Sequence, residues 1–183
     1  MQKSLTKNSI YNVIYTIANI LFPFATSIYV SRILLPAGVG KVASAQNIVS
    51  YFVTLAALGL PSYGVREFAK VREKKHERNK LFTELLLVNI ISTTLAVVGF
   101  IGLVVANEGF NGQWTLYVAC GLSIAFNYLN IDWMYQGLEE YGYITGRSLL
   151  IKGLSLLALF LFVKTREDYV IYALISSLAT GGN

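Results

Sequence analysis

LFTELLLVNIISTTLAVVGFIGLVVA, residues 81–106, holds a single charge, Glu84, in 26 residues. An α-helix rises 1.5 Å per residue, so about 20 apolar residues cross the ~30 Å hydrocarbon layer of a bilayer. This stretch is long enough to cross and to tilt. Its run Leu85-Leu86-Leu87-Val88 does not alternate as a membrane-barrel strand must. Backbone groups in lipid have to be paired within the segment or within a closed barrel, so the stretch reads as a membrane-spanning helix.

Similar runs lie on both sides. Upstream, residues 8–30 contain Pro23, where a kink is expected, and residues 42–60 end at Gly59-Leu60-Pro61. Downstream come residues 114–135, with aromatic residues at both ends, then 144–163. A sixth run, 168–180, stops soon after Ala179 at Gly181-Gly182-Asn183. Aromatic ends suit the headgroup region. The expectation is an all-α integral membrane protein of about six transmembrane helices. They form one lobe over 1–183, with a basic segment at 61–80 and a truncated sixth helix.

Composition agrees: 55% of residues are hydrophobic and 14% charged, against roughly 25% charged in a soluble domain. The net charge is +5. The basic residues cluster at the ends of apolar runs, where orientation signals belong, so the excess is read as topology rather than nucleic-acid binding. The N-terminal run is not a secretory signal, because Ile10–Val30 exceeds a signal core and no small-residue cleavage site precedes Arg32. Alternate sides of the membrane receive unequal charge. One side takes Lys3, Lys7, Arg66, Lys70, Arg72, Lys74, Lys75, Arg78, Lys80, Arg147 and Lys152; the other takes Arg32, Lys41, Lys164 and Arg166. This bias places the N-terminus and residues 66–80 in the cytoplasm, and the Asn107–Gln113 turn outside.

Chemistry-bearing residues are few. Arg66, Lys70, Lys74 and Arg78 recur every four residues and would form one basic stripe on a helix. It reads either as a connector touching anionic lipid or, at Arg66, as a group that meets phosphate through its planar fork. Arg32 and Lys41 bracket the turn at residues 35–40, as snorkelling anchors or as the positive rim of a cavity. Asn19, Gln46, Asn47, Asn89, Asn127, Asn130 and Asp132 lie in apolar surroundings. The amides read as glue between helices, worth on the order of 0.6 kcal/mol each. A carboxylate at mid-membrane costs about 2.5–3.5 kcal/mol, so Asp132 should sit near the interface, respond to a proton or cation, or pair with Arg147.

Enzyme signatures are missing. His76 stands alone, which excludes a histidine pair for zinc. No Walker loop is present. Glu139 and Glu140 are adjacent and would not face each other on a helix. No metal site and no cofactor are expected. Cys120 is the sole cysteine and forms no intrachain disulfide.

The stretches KNSIYNVIYTIANILFPFATSIYVSRILLPAGVGKVASAQNIVSYF (7–52), LAALGLPSYGVREFAKVRE (55–73) and KLFTELLLVNIIST (80–93) carry a resemblance, as does the later DWMYQGLEEYGYITGRSLLIKGLSLLALFLFVKTREDYVIYAL (132–174). The chain resembles the polysaccharide biosynthesis, or Wzx-type oligosaccharide, flippases of the multidrug, oligosaccharidyl-lipid and polysaccharide exporter superfamily. The resemblance implies a two-lobed bundle around a partly cationic cavity, in a bacterial inner membrane. The cargo would be undecaprenyl-diphosphate-linked oligosaccharide for O-antigen, capsule or exopolysaccharide. It would move by alternating access, driven by an ion gradient. Arg32, Arg66, Arg147 and Lys152 would pair with the diphosphate, and Gln46 and Asn47 would contact sugar hydroxyls. Asp132 would be the ion-coupling candidate. A polysaccharide polymerase and glycosyltransferases are implied partners.

The chain matches only the N-terminal lobe, so it is expected to bind lipid or dimerise rather than transport alone. Two other readings stand beside this one. A multidrug exporter of the same superfamily would want acidic groups in its cavity. A membrane scaffold for polysaccharide synthesis would tolerate loss of Arg66 and Arg147. A membrane glycosyltransferase lacks paired carboxylates.

Overall fold

The structure, a computed structural model, describes residues 5–110 and 112–181. Lys3 and the side chain of Lys7 lie outside the described residues, as does Asn111 of the outer turn. Among the described residues every regular element is helical: α1 (Leu5–Ala57), α2 (Leu60–Lys70), α3 (Lys75–Ala106), α4 (Trp114–Phe126), α5 (Asp132–Gly137), α6 (Tyr141–Phe162) and α7 (Tyr169–Gly181). Short 3-10 turns occupy Glu108–Phe110 and Asn127–Leu129.

The 53 residues of α1 are two helical arms rather than one rod. Leu35 stands at φ 56°, ψ 172°, outside the helical region that the following Pro36 denies it. The helix breaks there, not at Pro23, which stays within the first arm. The arms run antiparallel, as their neighbours show. Along the first arm, the Thr145 hydroxyl donates to the Tyr11 carbonyl at 3.0 Å and the Tyr29 hydroxyl to the Val163 carbonyl at 2.9 Å. The first arm therefore runs parallel to α6. Along the second, Lys41 lies over the Tyr169 ring and Gln46 bonds Ser176, so that arm runs parallel to α7. Since α6 and α7 reverse through residues 163–168, the two arms of α1 reverse as well.

The second arm, α3, α4 and α7 share the main core. Val42, Ala45, Val49 and Ala56 repeat at helical spacing and pack with Ala96, Phe100, Leu116, Cys120, Ile124 and Ala173. α3 runs antiparallel to this arm: Ser92 donates to the Ala56 carbonyl at 2.6 Å, and Phe52 meets Phe100 edge-on at 5.4 Å. The outward face of α3 carries Leu87, Ile91, Leu95, Val98 and Val105, all exposed. Its buried face includes Asn89, Ser92 and Thr93. An outer face more apolar than the packed face is what lipid, rather than water, selects.

The run at 114–135 is not one helix. α4 ends at Phe126, Asn130 adopts ψ 98°, and α5 begins anew at Asp132. The cause is local. The Asn127 amide donates to Asn89 Oδ1 at 2.9 Å and Thr93 Oγ1 at 2.8 Å, while Asn89 donates to the Asn127 carbonyl at 2.8 Å. This exchange ties the end of α4 to α3 and diverts a backbone carbonyl to a side chain. The amphipathic α2 lies against α5 through Leu60, Gly64 and Phe68. Contact is close enough that a Cβ on Gly64 would fall 2.8 Å from the Trp133 ring, and one on Gly137 2.5 Å from Phe68 Cβ.

Candidate functional site: a polar cleft between the second arm of α1, α4 and α7

A cleft of about 430 Å³ opens between the second arm of α1, the end of α4 and α7. Gln46, Ser50 and Thr54 line it from α1, Ser123 from α4, Asn127 and Asn130 from the break that follows, and Ser176, Ser177 and Thr180 from α7. Helical spacing explains the alignment: Ser50 and Thr54, like Ser176 and Thr180, stand four residues apart and so share a face. Nine of the thirteen lining residues are polar and none is charged. Gln46 Nε2 bridges the α1 and α7 walls by donating to Ser176 Oγ at 3.0 Å.

The cations lie elsewhere. Arg147 on α6 donates to Asp132 at the start of α5, and its guanidinium lies 6.0 Å from the Tyr143 ring. Arg147 Nε is buried with no hydrogen-bond partner among the described residues. This pair adjoins the cleft, because the Asp132 N–H donates to Asn130 Oδ1 at 3.4 Å. Of the readings open for Asp132, pairing with Arg147 is the one the geometry realises, and it joins α6 to the start of α5.

Lys152 is 7% exposed, set between α6 and the first arm of α1. Its ammonium donates to Asn19 Oδ1 and to Ser148 Oγ, and the Tyr15 ring lies 5.5 Å away. Among the described residues no carboxylate comes within ion-pairing range of it. Asn19 therefore serves as more than glue.

Arg66 is exposed on α2, donating to Glu67 at 3.2 Å beside the Tyr63 ring. Lys70, donating at 2.8 Å, and then Arg66 hold the Glu67 carboxyl below its ordinary range. Arg72, in the turn after α2, pairs with Glu139, in the turn after α5, at 2.8 Å. Arg32 is exposed beside the Leu35 break, at the end of the bundle opposite α2. Asn47 is exposed and outside the cleft lining, whereas its neighbour Gln46 is within it. Thus Arg32, Arg66, Arg147 and Lys152 do not converge on one pocket. The cleft hydroxyls were not singled out by sequence reasoning; the four-residue spacing of Ser50–Thr54 and Ser176–Thr180 was the available signal. Among the described residues, no three His, Cys, Asp or Glu side chains gather as a metal site would require.

An uncharged, hydroxyl- and amide-lined cleft within an apolar bundle can hold a polar neutral group by hydrogen bonds. The family model described as polysaccharide biosynthesis protein matches residues 5–181. A protein of Escherichia coli (strain K12) named "Putative O-antigen transporter" is 23% identical over 96% of this chain and 42% of its own length. A Shigella dysenteriae protein of the same name is 27% identical over 84% of this chain and 38% of its own. The chain spans about two fifths of the length of these relatives. No solved structure matches it significantly.

Proposed function

The chain belongs to the polysaccharide biosynthesis protein family, and from that premise we propose that it is part of a flippase for lipid-linked oligosaccharide. The cargo would be an undecaprenyl-diphosphate-linked glycan destined for surface polysaccharide, moved between leaflets of the bacterial inner membrane. The chain would lie with its N-terminus in the cytoplasm. The observation that carries the reading is the family match over residues 5–181 in a multi-pass helical bundle. The names of the relatives point the same way. The basic α2 and its following turn would rest on anionic headgroups, as polybasic segments do at the cytoplasmic leaflet.

Roles divide by chemistry. Gln46 faces the cleft and suits a sugar hydroxyl. Arg147, Lys152, Arg66 and Arg32 offer the donors a diphosphate requires, but from separate stations, so they would act in succession along a route. Asn47 is exposed and would meet cargo only where a second body closes over it. Asp132, paired with Arg147, would respond to a coupling ion only through loss of that pair. Alternating access moves two bodies about one site, and this lobe would supply one of them. A polymerase and glycosyltransferases would supply and consume the cargo.

The test is capture. In nanodiscs, the chain is expected to retain undecaprenyl-diphosphate-linked oligosaccharide well above phosphatidylglycerol. Equal retention of both lipids would sink the proposal.

A further inference from the structure

The hydrogen bonds already made inside the cleft determine what it can still accept. Ser50 donates its hydroxyl proton to the Asn47 carbonyl at 2.7 Å, Thr54 to the Ser50 carbonyl at 2.8 Å, and Thr180 to the Ser176 carbonyl at 2.9 Å. Ser177 donates to the Cys120 carbonyl at 3.4 Å. A hydroxyl has one proton and two lone pairs, so each of these groups has spent its donor and keeps acceptor capacity. Asn127 has likewise directed its amide N–H groups at Asn89 and Thr93, which leaves its carbonyl oxygen. Gln46 has given one N–H to Ser176; its second N–H and its oxygen remain.

The lining is therefore richer in acceptors than in free donors. A diphosphate only accepts hydrogen bonds and carries negative charge, so it finds no cation here and cannot use the acceptors that dominate. A sugar ring presents several O–H donors on an apolar frame. The donors left, on Gln46, Ser123, Ser176 and Asn130, match the lone pairs of the same hydroxyls. A volume of about 430 Å³ lies within the usual range for small-molecule sites.

We propose that this cleft is a sugar subsite: it takes the hydroxyl-bearing part of a lipid-linked glycan and excludes the diphosphate, which is held outside it. The inference rests on the flippase reading above and adds which part of the cargo this lobe grips.

The experiment compares two probes on the nanodisc-embedded chain: farnesyl diphosphate-linked N-acetylglucosamine and bare farnesyl diphosphate. The sugar-bearing probe is expected to bind about tenfold tighter or better, the effect of a few net hydrogen bonds. The variant T54V/T180V removes two acceptor oxygens and conserves shape; it should bring the ratio toward one. T54S/T180S, which keeps the oxygens, should restore it. Equal affinity for the two probes in the unmodified chain would overturn the inference while leaving the flippase reading intact. So would a cleft that tells Na⁺ from K⁺ but ignores the sugar. Failure of both probes to bind would remove the flippase reading and this one together.

Discussion

Arg147 and Asp132, fifteen residues apart in sequence, form an ion pair that fastens α6 to the start of α5. Their side chains are 24% and 13% exposed, so the pair stands between the surface and buried regimes. Surface pairs are worth about 0–1 kcal/mol, whereas removing one partner of a buried pair costs about 3–5 kcal/mol. Asp132→Ala should therefore destabilise the chain by roughly 1–3 kcal/mol. Arg147→Ala should do the same, and the double variant should cost less than their sum. Thermal unfolding in detergent for all four chains measures this. Additive costs would mean the pair is not coupled.

Lys152 gives an ordering of variants. Its ammonium is buried and satisfied by two neutral acceptors, Asn19 and Ser148. Asn19→Leu removes an acceptor and leaves a desolvated charge, the costlier kind of defect. Lys152→Met removes the charge and retains an unbranched apolar chain. N19L is expected to unfold at a lower temperature than K152M, and the double variant N19L/K152M should recover above N19L. Recovery failing would show that Asn19 acts on the fold independently of the lysine.

Orientation is open to chemical labelling. Cys120 is fully buried in the main core and should resist maleimide in the intact protein, so the chain carries almost no background. A cysteine at Lys75, where the turn after α2 enters α3, is expected to react with a membrane-impermeant maleimide only once the inner face is accessible. A cysteine at Gly109, in the opposite turn, should react from outside intact cells. Reaction of the position-75 cysteine from outside would invert the proposed orientation.

The sequence made most of these long helices legible because in lipid an apolar run long enough to cross the bilayer has few alternatives to a helix. What it concealed follows from interactions between residues distant along the chain. The break after Phe126 depends on an amide exchange across 38 residues between Asn89 and Asn127, and residues 114–135 alone look like one span. The reversal of α1 at Leu35 falls within the turn read at residues 35–40, whereas Pro23, where a kink was expected, continues its helix; a proline preceded by a helix-incompatible residue and one accommodated within a turn look alike in sequence. The candidate site was half legible. Gln46 lines the cleft, but one cationic cavity was what the family resemblance implied, and the charges of this lobe taken alone set orientation and not convergence. The Asp132–Arg147 pair was readable as an option from the lone buried-run carboxylate.

Asp168 organises the turn between α6 and α7. Its Oδ2 accepts from the Lys164 N–H at 2.9 Å, the Thr165 N–H at 2.7 Å and the Thr165 hydroxyl at 2.9 Å. These bonds favour the charged form and hold its pKa below the ordinary 3.8, the Lys164 backbone bond contributing most. With the folded value depressed, the group's contribution is fully present above pH 3.8 and is lost as pH falls through the lower folded value. Hydrogen exchange at Lys164 and Thr165 should therefore stay protected through mildly acid pH and rise only below that point. In Asp168→Ala both amides should exchange rapidly at every pH. Protection that fades already near pH 5 would contradict the assignment.

Gly64 and Gly137 set how closely α2 approaches α5, and their substitutions should differ in cost. A methyl at Gly64 would meet the Trp133 ring at 2.8 Å and its Cβ at 3.1 Å, a shallower overlap that falls mainly on a ring rather than on backbone. At Gly137 the methyl would fall 2.5 Å from Phe68 Cβ and 3.0 Å from the Val65 carbonyl. Both of those atoms are fixed to the α2 backbone, so the helices themselves must part. Overpacking costs typically about 1–3 kcal/mol, and Gly137→Ala belongs at the upper end, Gly64→Ala at the lower. Trp133→Leu should relieve the Gly64 variant, since it removes the ring, and should leave the Gly137 variant unrelieved. Parting the helices at Gly137 would also draw Glu139 from Arg72 and disturb Asp132 at the head of the same short helix. Loss of affinity for the lipid-linked probe is therefore expected in G137A and not in G64A, checked by binding and unfolding on the same preparations. Equal behaviour of the two alanines would mean that α2 is mobile on α5 and that the basic strap is not rigidly joined to the rest of the lobe.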